Sequence, residues 1–211
     1  MSFANSLYDG LFADPDMAEL WSADAQTSHM LAFESAFSRA MGRAGRFDAA
    51  LAAQAADYIA SFTPDRADLS AGAGRDGLPV PALIKQLKAG AGADAAAIHT
   101  GATSQDVLDT ALALTLRATS DLIETQLAAL AQQLTDLTAT HGTAPLMGRT
   151  RMQAALPITV ADRIRTWREP LVDHSARLAM ARAQVERLSL AGPVGNGDFV
   201  DVAVSMAQAL G

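Results

Sequence analysis

Between Ser104 and Leu188 the apolar residues repeat by sevens in two successive runs. In the first run, Leu116, Ile123, Leu130 and Leu137 mark one seam, and Leu127 and Leu134 fill the position four residues on. In the second, Ile164, Leu171, Leu178 and Val185 repeat, with Val160, Trp167, Ala181 and Leu188 as the partner set. Sustained heptads predict long helices packed at shallow crossing angles. A helix over residues 104–140 would be about 55 Å long at about 1.5 Å per residue. A domain this small cannot cover such a seam alone, so several chains are expected to associate through it. Pro170 lies inside the second run, where its ring should meet the Thr166 carbonyl and bend the helix along the bundle. His174 falls on the same seam and reads as a packed or hydrogen-bonded histidine.

Composition supports a helical protein. Of 211 residues, 50% are hydrophobic but only 5% aromatic, so alanine and leucine carry the apolar content. Both favour helices. The formal net charge of -7 argues against nucleic acid or an anionic membrane as partner. A small anion remains possible, because a few arginines can reverse the field inside a cleft. The chain has no cysteine, which excludes disulfides and thiolate zinc sites. Its opening, MSFANSLYDGLF, lacks a basic region and a long apolar core, so no signal peptide is expected. With no apolar run of membrane-spanning length, the expectation is a soluble cytoplasmic protein.

Upstream of the heptads, Met30, Phe33, Phe37 and Met41 share one face of a helix expected over residues 24–45. A second helix is expected over residues 48–61, ended by Thr63-Pro64. Residues 70–81 are rich in glycine and proline and are expected to form a loop. Gly72-Ala73-Gly74-Arg75-Asp76-Gly77 matches GxGxxG in form, but no strand precedes it and Pro79 and Pro81 follow, so it is set aside as a nucleotide site. A short helix over residues 83–87 and a connector to about Asp94 complete a small helical domain, residues 1–95. Residues 96–211 are expected to form a central long-helix bundle, incomplete at its C-terminal side. In it, Gly192–Gly197 ends the second long helix and Phe199–Leu210 starts another.

Two polar stretches stand where the long helices begin. His99-Thr100-Gly101-Ala102-Thr103-Ser104-Gln105-Asp106 is a hydroxyl- and amide-rich helix entrance with Thr103 or Ser104 as N-cap. A helix N-terminus favours an anion, and a carboxylate would fit. Taken alone, the stretch reads first as an ordinary cap. The second, Gly148-Arg149-Thr150-Arg151-Met152-Gln153, sets two arginines around a threonine. Guanidinium groups grip carboxylates bidentately, although a solvated basic turn would look the same. Asp106 and Asp109 share a helical face, where Asp109 reads as solvated or paired with a neighbouring subunit. None of His29, His99, His141 and His174 has a histidine partner at metal-binding spacing.

Together the stretches are similar to something specific. HTGATSQDVLDTALALTLR resembles the first signature region of the fumarase/aspartase superfamily, and GRTRMQAALPITVADRI resembles the second. DGLPVPALIKQLKA resembles the segment before the first signature, and the opening from Ser6 to Gly45 resembles the start of bacterial 3-carboxymuconate cycloisomerases. The resemblance implies an all-α, fumarase/aspartase-type fold, and a homotetramer whose active sites each combine signature regions of three subunits. It implies a small polycarboxylate substrate and no metal or organic cofactor. By residue, Thr103, Ser104 and Asp106 match positions that contact substrate. His99 matches a histidine that points into the site in adenylosuccinate lyases, and Thr150 and Gln153 match positions that hold a substrate carboxylate. The candidate catalytic residues are thus His99, Ser104 and Arg151. The candidate substrate-binding residues are Thr103, Gln105, Asp106, Arg149, Thr150 and Gln153.

Two departures sharpen the expectation. Where many of these lyases carry histidine in the second signature, this chain has Arg151. Arginine stays protonated up to about pH 12, so general acid–base work is lost there. Lactonisation of 3-carboxy-cis,cis-muconate suffers least, because the group that attacks, or departs in reverse, is itself a carboxylate. Second, the glycine-serine-serine loop that supplies the family's catalytic serine is missing, and the only lysines, Lys85 and Lys88, lie upstream of the first signature. The expectation is therefore part of a cycloisomerase of aromatic catabolism. The rivals are another lyase, such as one cleaving adenylosuccinate, and a non-catalytic helical oligomer or truncated remnant.

Overall fold

The computed structural model of the chain describes residues 9–211. The first eight residues, where the opening similarity and the leader expectation begin, lie outside the described residues. Two compact units emerge: residues up to Leu116 together with Glu186–Gly211, and Arg117–Val185. Among the described residues, the regular structure is helical apart from one two-stranded hairpin. No helix among the described residues is long and apolar enough to cross a membrane.

The first unit begins with α1 (Asp9–Phe12), α2 (Pro15–Leu20) and α3 (Ala23–Arg43). α3 starts because the Ser22 side chain accepts the Ala25 N–H at 3.1 Å, satisfying one orphan donor of its first turn. Its expected stripe, Met30, Phe33, Phe37 and Met41, is buried in the core. α4 (Ala49–Ala60) is capped by Asp48 and lays Ala52, Ala55 and Ile59 into the same core. Phe37 packs edge-on against Phe199, with ring centroids 5.9 Å apart, just before α9 (Val200–Leu210). α9 closes this core with Val202 and Met206.

The expected loop over residues 70–81 is corrected. α5 (Arg66–Asp76) runs through it, followed by α6 (Val80–Gly90), which is twice the length expected from residues 83–87. Asp65 caps α5 by accepting the Ala67 and Asp68 N–H groups, and Gly77 ends it in the left-handed region at φ 80°. Glycine content misled the reading, because Gly72 serves packing rather than a turn. A Cβ there would lie 2.6 Å from the Ala82 Cβ of α6. The GxGxxG match therefore lies within α5 and its cap. A 3₁₀ turn (Gly92–Ala97) then leads to the first signature.

α7 (Ser104–His141) is a single helix of 38 residues, as the heptads predict. Its first turns belong to the first unit and the rest to the second. The second unit adds β1 (Pro145–Thr150), β2 (Gln153–Thr159) and α8 (Val160–Val185). α8 runs antiparallel to its stretch of α7: Arg182 pairs with Asp121 at 2.6 Å and Glu124 at 2.9 Å, and Arg168 donates to Thr135 at 2.8 Å. The helix continues through Pro170. It ends at Val185, before Leu188, which packs on the core of the first unit instead of extending the seam. Residues 186–199 are thus a non-helical strap with a turn over Gly192–Gly197, which does not terminate a helix. Leu130, Leu137 and Trp167 remain 45%, 49% and 56% exposed, and His174 is exposed as well.

Gly72→Ala tests the α5–α6 contact. Better helix propensity would favour it by about 1 kcal/mol, but Ala82 is a short side chain fixed on a helix and cannot swing away. Overpacking of about 1–3 kcal/mol should win, lowering the urea midpoint. Adding Ala82→Gly should recover most of the loss.

Candidate active site

The first signature region is built on a buried carboxylate. Asp106, in the first turn of α7, is 2% exposed. Its Oδ1 accepts the Ala191 N–H at 2.9 Å, and its Oδ2 accepts the Thr103 N–H at 3.0 Å and the Gly192 N–H at 3.1 Å. One turn on, Thr110 Oγ1 donates to the Ser189 carbonyl and accepts the Ser189 N–H, both at 3.1 Å. Asp106 and Thr110 (i, i+4) thus hold the strap along one face of α7. Gly192 has φ 74°, and a Cβ there would lie 3.2 Å from the Gly101 carbonyl oxygen and 3.4 Å from the Phe199 ring. Only glycine satisfies both demands.

Before α7, the chain turns sharply at His99, which has φ 57°. Its Nδ1 lies 2.6 Å from Oε1 of Glu34, a carboxylate of α3 with 0% exposure. Glu34 Oε2 has no hydrogen-bond partner among the described residues. A buried acceptor left unsatisfied costs about 1–3 kcal/mol. One turn along α3, Ser38 donates to the Ala97 carbonyl at 2.8 Å. Thr103 and Ser104 are half-buried, while Gln105 is exposed and donates to Asp109 at 2.6 Å.

The second signature region forms the hairpin, which replaces the expected turn before α8. Thr150 pairs with Gln153, so Arg151 and Met152 are the two turn residues. Both have positive φ, 43° and 68°. Two-residue hairpin turns with this geometry normally carry Asn-Gly. Ordinary side chains there cost about 1–3 kcal/mol each, and such strain concentrates at functional sites. Met152 at the tip is 94% exposed. Arg149, Thr150, Arg151 and Gln153 are exposed around it. Gly148 faces Ala155 and Leu156 at a bulge in the ladder. The hairpin enters α8 through a capping box: Thr159 donates its N–H at 2.9 Å and its hydroxyl at 2.8 Å to Asp162, whose N–H returns to Thr159 Oγ1 at 3.2 Å. These donors, first the Thr159 backbone N–H and then its hydroxyl, hold the Asp162 carboxyl below the usual range.

Residues 12–210 match the family described as Lyase. The chain belongs to the lyase family. The chain is 34% identical to a 3-carboxy-cis,cis-muconate cycloisomerase of Pseudomonas aeruginosa over 99% of its length, covering 47% of that relative. It is 31% identical to an adenylosuccinate lyase of Archaeoglobus fulgidus over 89% of its length, covering 41% of that protein. A 3-carboxy-cis,cis-muconate lactonizing enzyme of Pseudomonas putida superposes with a TM-score of 0.90 at 32% identity, over 98% of this chain and 49% of that one. The chain therefore spans about half the length of the curated relatives it matches.

Within the first unit, the fold gathers His99, Thr103, Ser104, Gln105 and Asp106 around the entrance to α7. Arg149, Thr150, Arg151 and Gln153 gather at the hairpin of the second unit. Asp106 points its oxygens at the chain's own backbone, which makes it the anchor of the α7 entrance. Reading from sequence missed Glu34. The available signal was a lone carboxylate inside the apolar stripe formed by Met30, Phe33, Phe37 and Met41.

Asp106→Asn would turn an amide N–H₂ toward donors that need an acceptor. Loss of about 2–4 kcal/mol is expected, together with faster amide exchange at Ala191 and Gly192 than elsewhere in the core. Thr159→Ala should cost about 0.5–2 kcal/mol as a lost cap. Because the Asp162 carboxyl titrates lower folded than unfolded, its contribution is present above the ordinary carboxylate value and disappears as pH falls through the lowered one. Thr159→Ala should flatten that acid limb, read as urea midpoints from pH 7 down to pH 3.

Proposed function

We propose that this chain works in a 3-carboxy-cis,cis-muconate cycloisomerase, a cytoplasmic homotetramer of aromatic catabolism. The observation that carries the reading is similarity to curated cycloisomerases along almost the entire chain, at 34% identity for the Pseudomonas aeruginosa relative. Arg151 supports it. In the reaction, one substrate carboxylate oxygen attacks a double-bond carbon and forms the lactone C–O bond. The π electrons move toward the carbon alpha to another carboxylate, giving an enediolate, and a proton delivered to that carbon completes the product. The attacking group needs no deprotonation, and in reverse it departs as a stable anion. An arginine that binds charge and moves no proton suits this step better than any amine or hydroxyl elimination.

On this reading Arg149, Thr150, Arg151 and Gln153 hold substrate carboxylates, and the α7 entrance around Thr103, Ser104 and Gln105 stabilises enediolate charge. Asp106 acts by holding that entrance in shape. His99 and Ser104 are the candidates for handling protons. Residues 1–95 would form the helical N-terminal domain and residues 96–211 part of the central bundle. Leu130, Leu137 and Trp167 would be buried between subunits. The similarity to an adenylosuccinate lyase favours a second reading, elimination of fumarate from a succinyl substrate, in which His99 would take the same place.

The test uses the product of the whole open reading frame, because the reading requires a serine-bearing loop that these 211 residues lack. Ultraviolet absorbance should show loss of the conjugated diene of 3-carboxy-cis,cis-muconate with lactone formation. A folded oligomer with no turnover on it, but fumarate release from adenylosuccinate, would transfer the assignment to the second reading. Arg151→His should lower kcat/KM by about 10- to 100-fold, the worth of one charge-assisted contact. Unchanged turnover would remove Arg151 from the site.

A further inference from the structure

We propose that Glu34 is a positioning residue for His99, holding its imidazole as the Nδ1–H tautomer so that Nε2 handles a proton of the reaction. The inference rests on the proposed function for the reaction and on the geometry alone for the tautomer. An ionised carboxylate only accepts, so with Glu34 ionised the Nδ1 that lies 2.6 Å from its Oε1 carries the hydrogen. Nε2 then keeps its lone pair. When it takes a proton, the imidazolium faces an opposite charge, as in the familiar acid–base–nucleophile triads.

Packing alone does not explain this glutamate. It occupies an apolar stripe, has 0% exposure, and leaves Oε2 without a partner among the described residues. A leucine would fill the position without desolvating a charge. The surroundings are arranged to fix the turn that carries His99. Ser38, one turn on from Glu34 along α3, grips the Ala97 carbonyl, so one face of α3 holds the segment at two points. His99 itself is held at φ 57°, a conformation non-glycine residues adopt only when surroundings over-determine it. The imidazole keeps 15% exposure where its carboxylate keeps none. His99 thus reaches solvent from a buried anchor, and sits five residues before α7.

The tautomer is read directly from the imidazole ¹⁵N shifts of the 211-residue chain. It has only four histidines, and the His99 signals are those lost in His99→Asn. Wild type should show protonated Nδ1 and pyridine-like Nε2, and Glu34→Leu should revert to the Nε2–H tautomer that free histidine prefers. An Nε2–H tautomer in wild type would overturn the proposal without any variant having to fold. In the whole protein, Glu34→Leu should lower kcat by about 100- to 10,000-fold, with KM within about threefold. Glu34→Gln, whose amide oxygen still accepts the Nδ1–H, should restore part of the loss. Equal loss in Glu34→Gln and Glu34→Leu, or none in either, would reject a positioning role. If wild type does not turn over the muconate while the tautomer shifts as expected, the failure lies with the substrate assignment and the Glu34–His99 pairing stands.

Discussion

A buried carboxylate with three backbone donors holds the first unit together. Asp106 sits in the first turn of α7 and reaches both the residue before that helix and the strap 85 residues downstream. Such a group is stable in the interior only when its oxygens are saturated by N–H groups, and here they are. The demand runs in both directions. The strap makes no sheet or helix bonds of its own at Ala191 and Gly192, so its amides need Asp106 as much as Asp106 needs them. Thr110 repeats the arrangement one turn on. By this means a helix entrance rich in hydroxyls is fixed against the core that Phe37 and Phe199 share, and α9 can close over it.

The second unit solves a different problem. A helix of 38 residues and an antiparallel partner cover each other along one stripe only, and Leu130, Leu137 and Trp167 stay open. Between these helices the chain reverses through a hairpin whose tip holds two non-glycine residues at positive φ. The capping box of Thr159 and Asp162 restores regular structure immediately afterwards. Strain at the tip and stability at its base belong together: a hairpin rooted firmly in α8 can hold Arg151 and Met152 in a conformation that neither favours. On the proposed function, that fixed conformation keeps a guanidinium in place before any substrate arrives.

Much of this was legible in the sequence, for identifiable reasons. The heptads located α7 and α8 because a seven-residue period sustained over about six turns has few other meanings. The stripe of Met30, Phe33, Phe37 and Met41 located α3 for the same reason. Glycine misled where it served packing: Gly72 lies where α5 meets Ala82, and residues 70–81 read as loop because composition cannot separate a turn glycine from a contact glycine. The hairpin was invisible because Arg-Met is an unfavourable pair for its turn, so the usual Asn-Gly signal was missing. In the candidate site, residue types were legible while partners were not. Asp106 reads as a ligand group until the strap is seen to claim both oxygens. Glu34 has no local meaning until the fold brings it to His99, 65 residues away.

The two signature regions also divide the chemistry. An arginine at 151 can bind and orient charge but cannot exchange a proton near neutrality. In the proposed lactonisation, protons must be handled elsewhere, and His99 is the one histidine of the chain within a signature region. Its ring Nδ1 lies at hydrogen-bonding distance from a wholly buried carboxylate. A lyase that loses the second-signature histidine must lean harder on any remaining proton carrier, and that carrier gains most from a fixed tautomer. Arg151 and the Glu34–His99 pair then express a single constraint. Where the leaving group is a carboxylate, acid help to it is dispensable, whereas proton exchange at carbon is not.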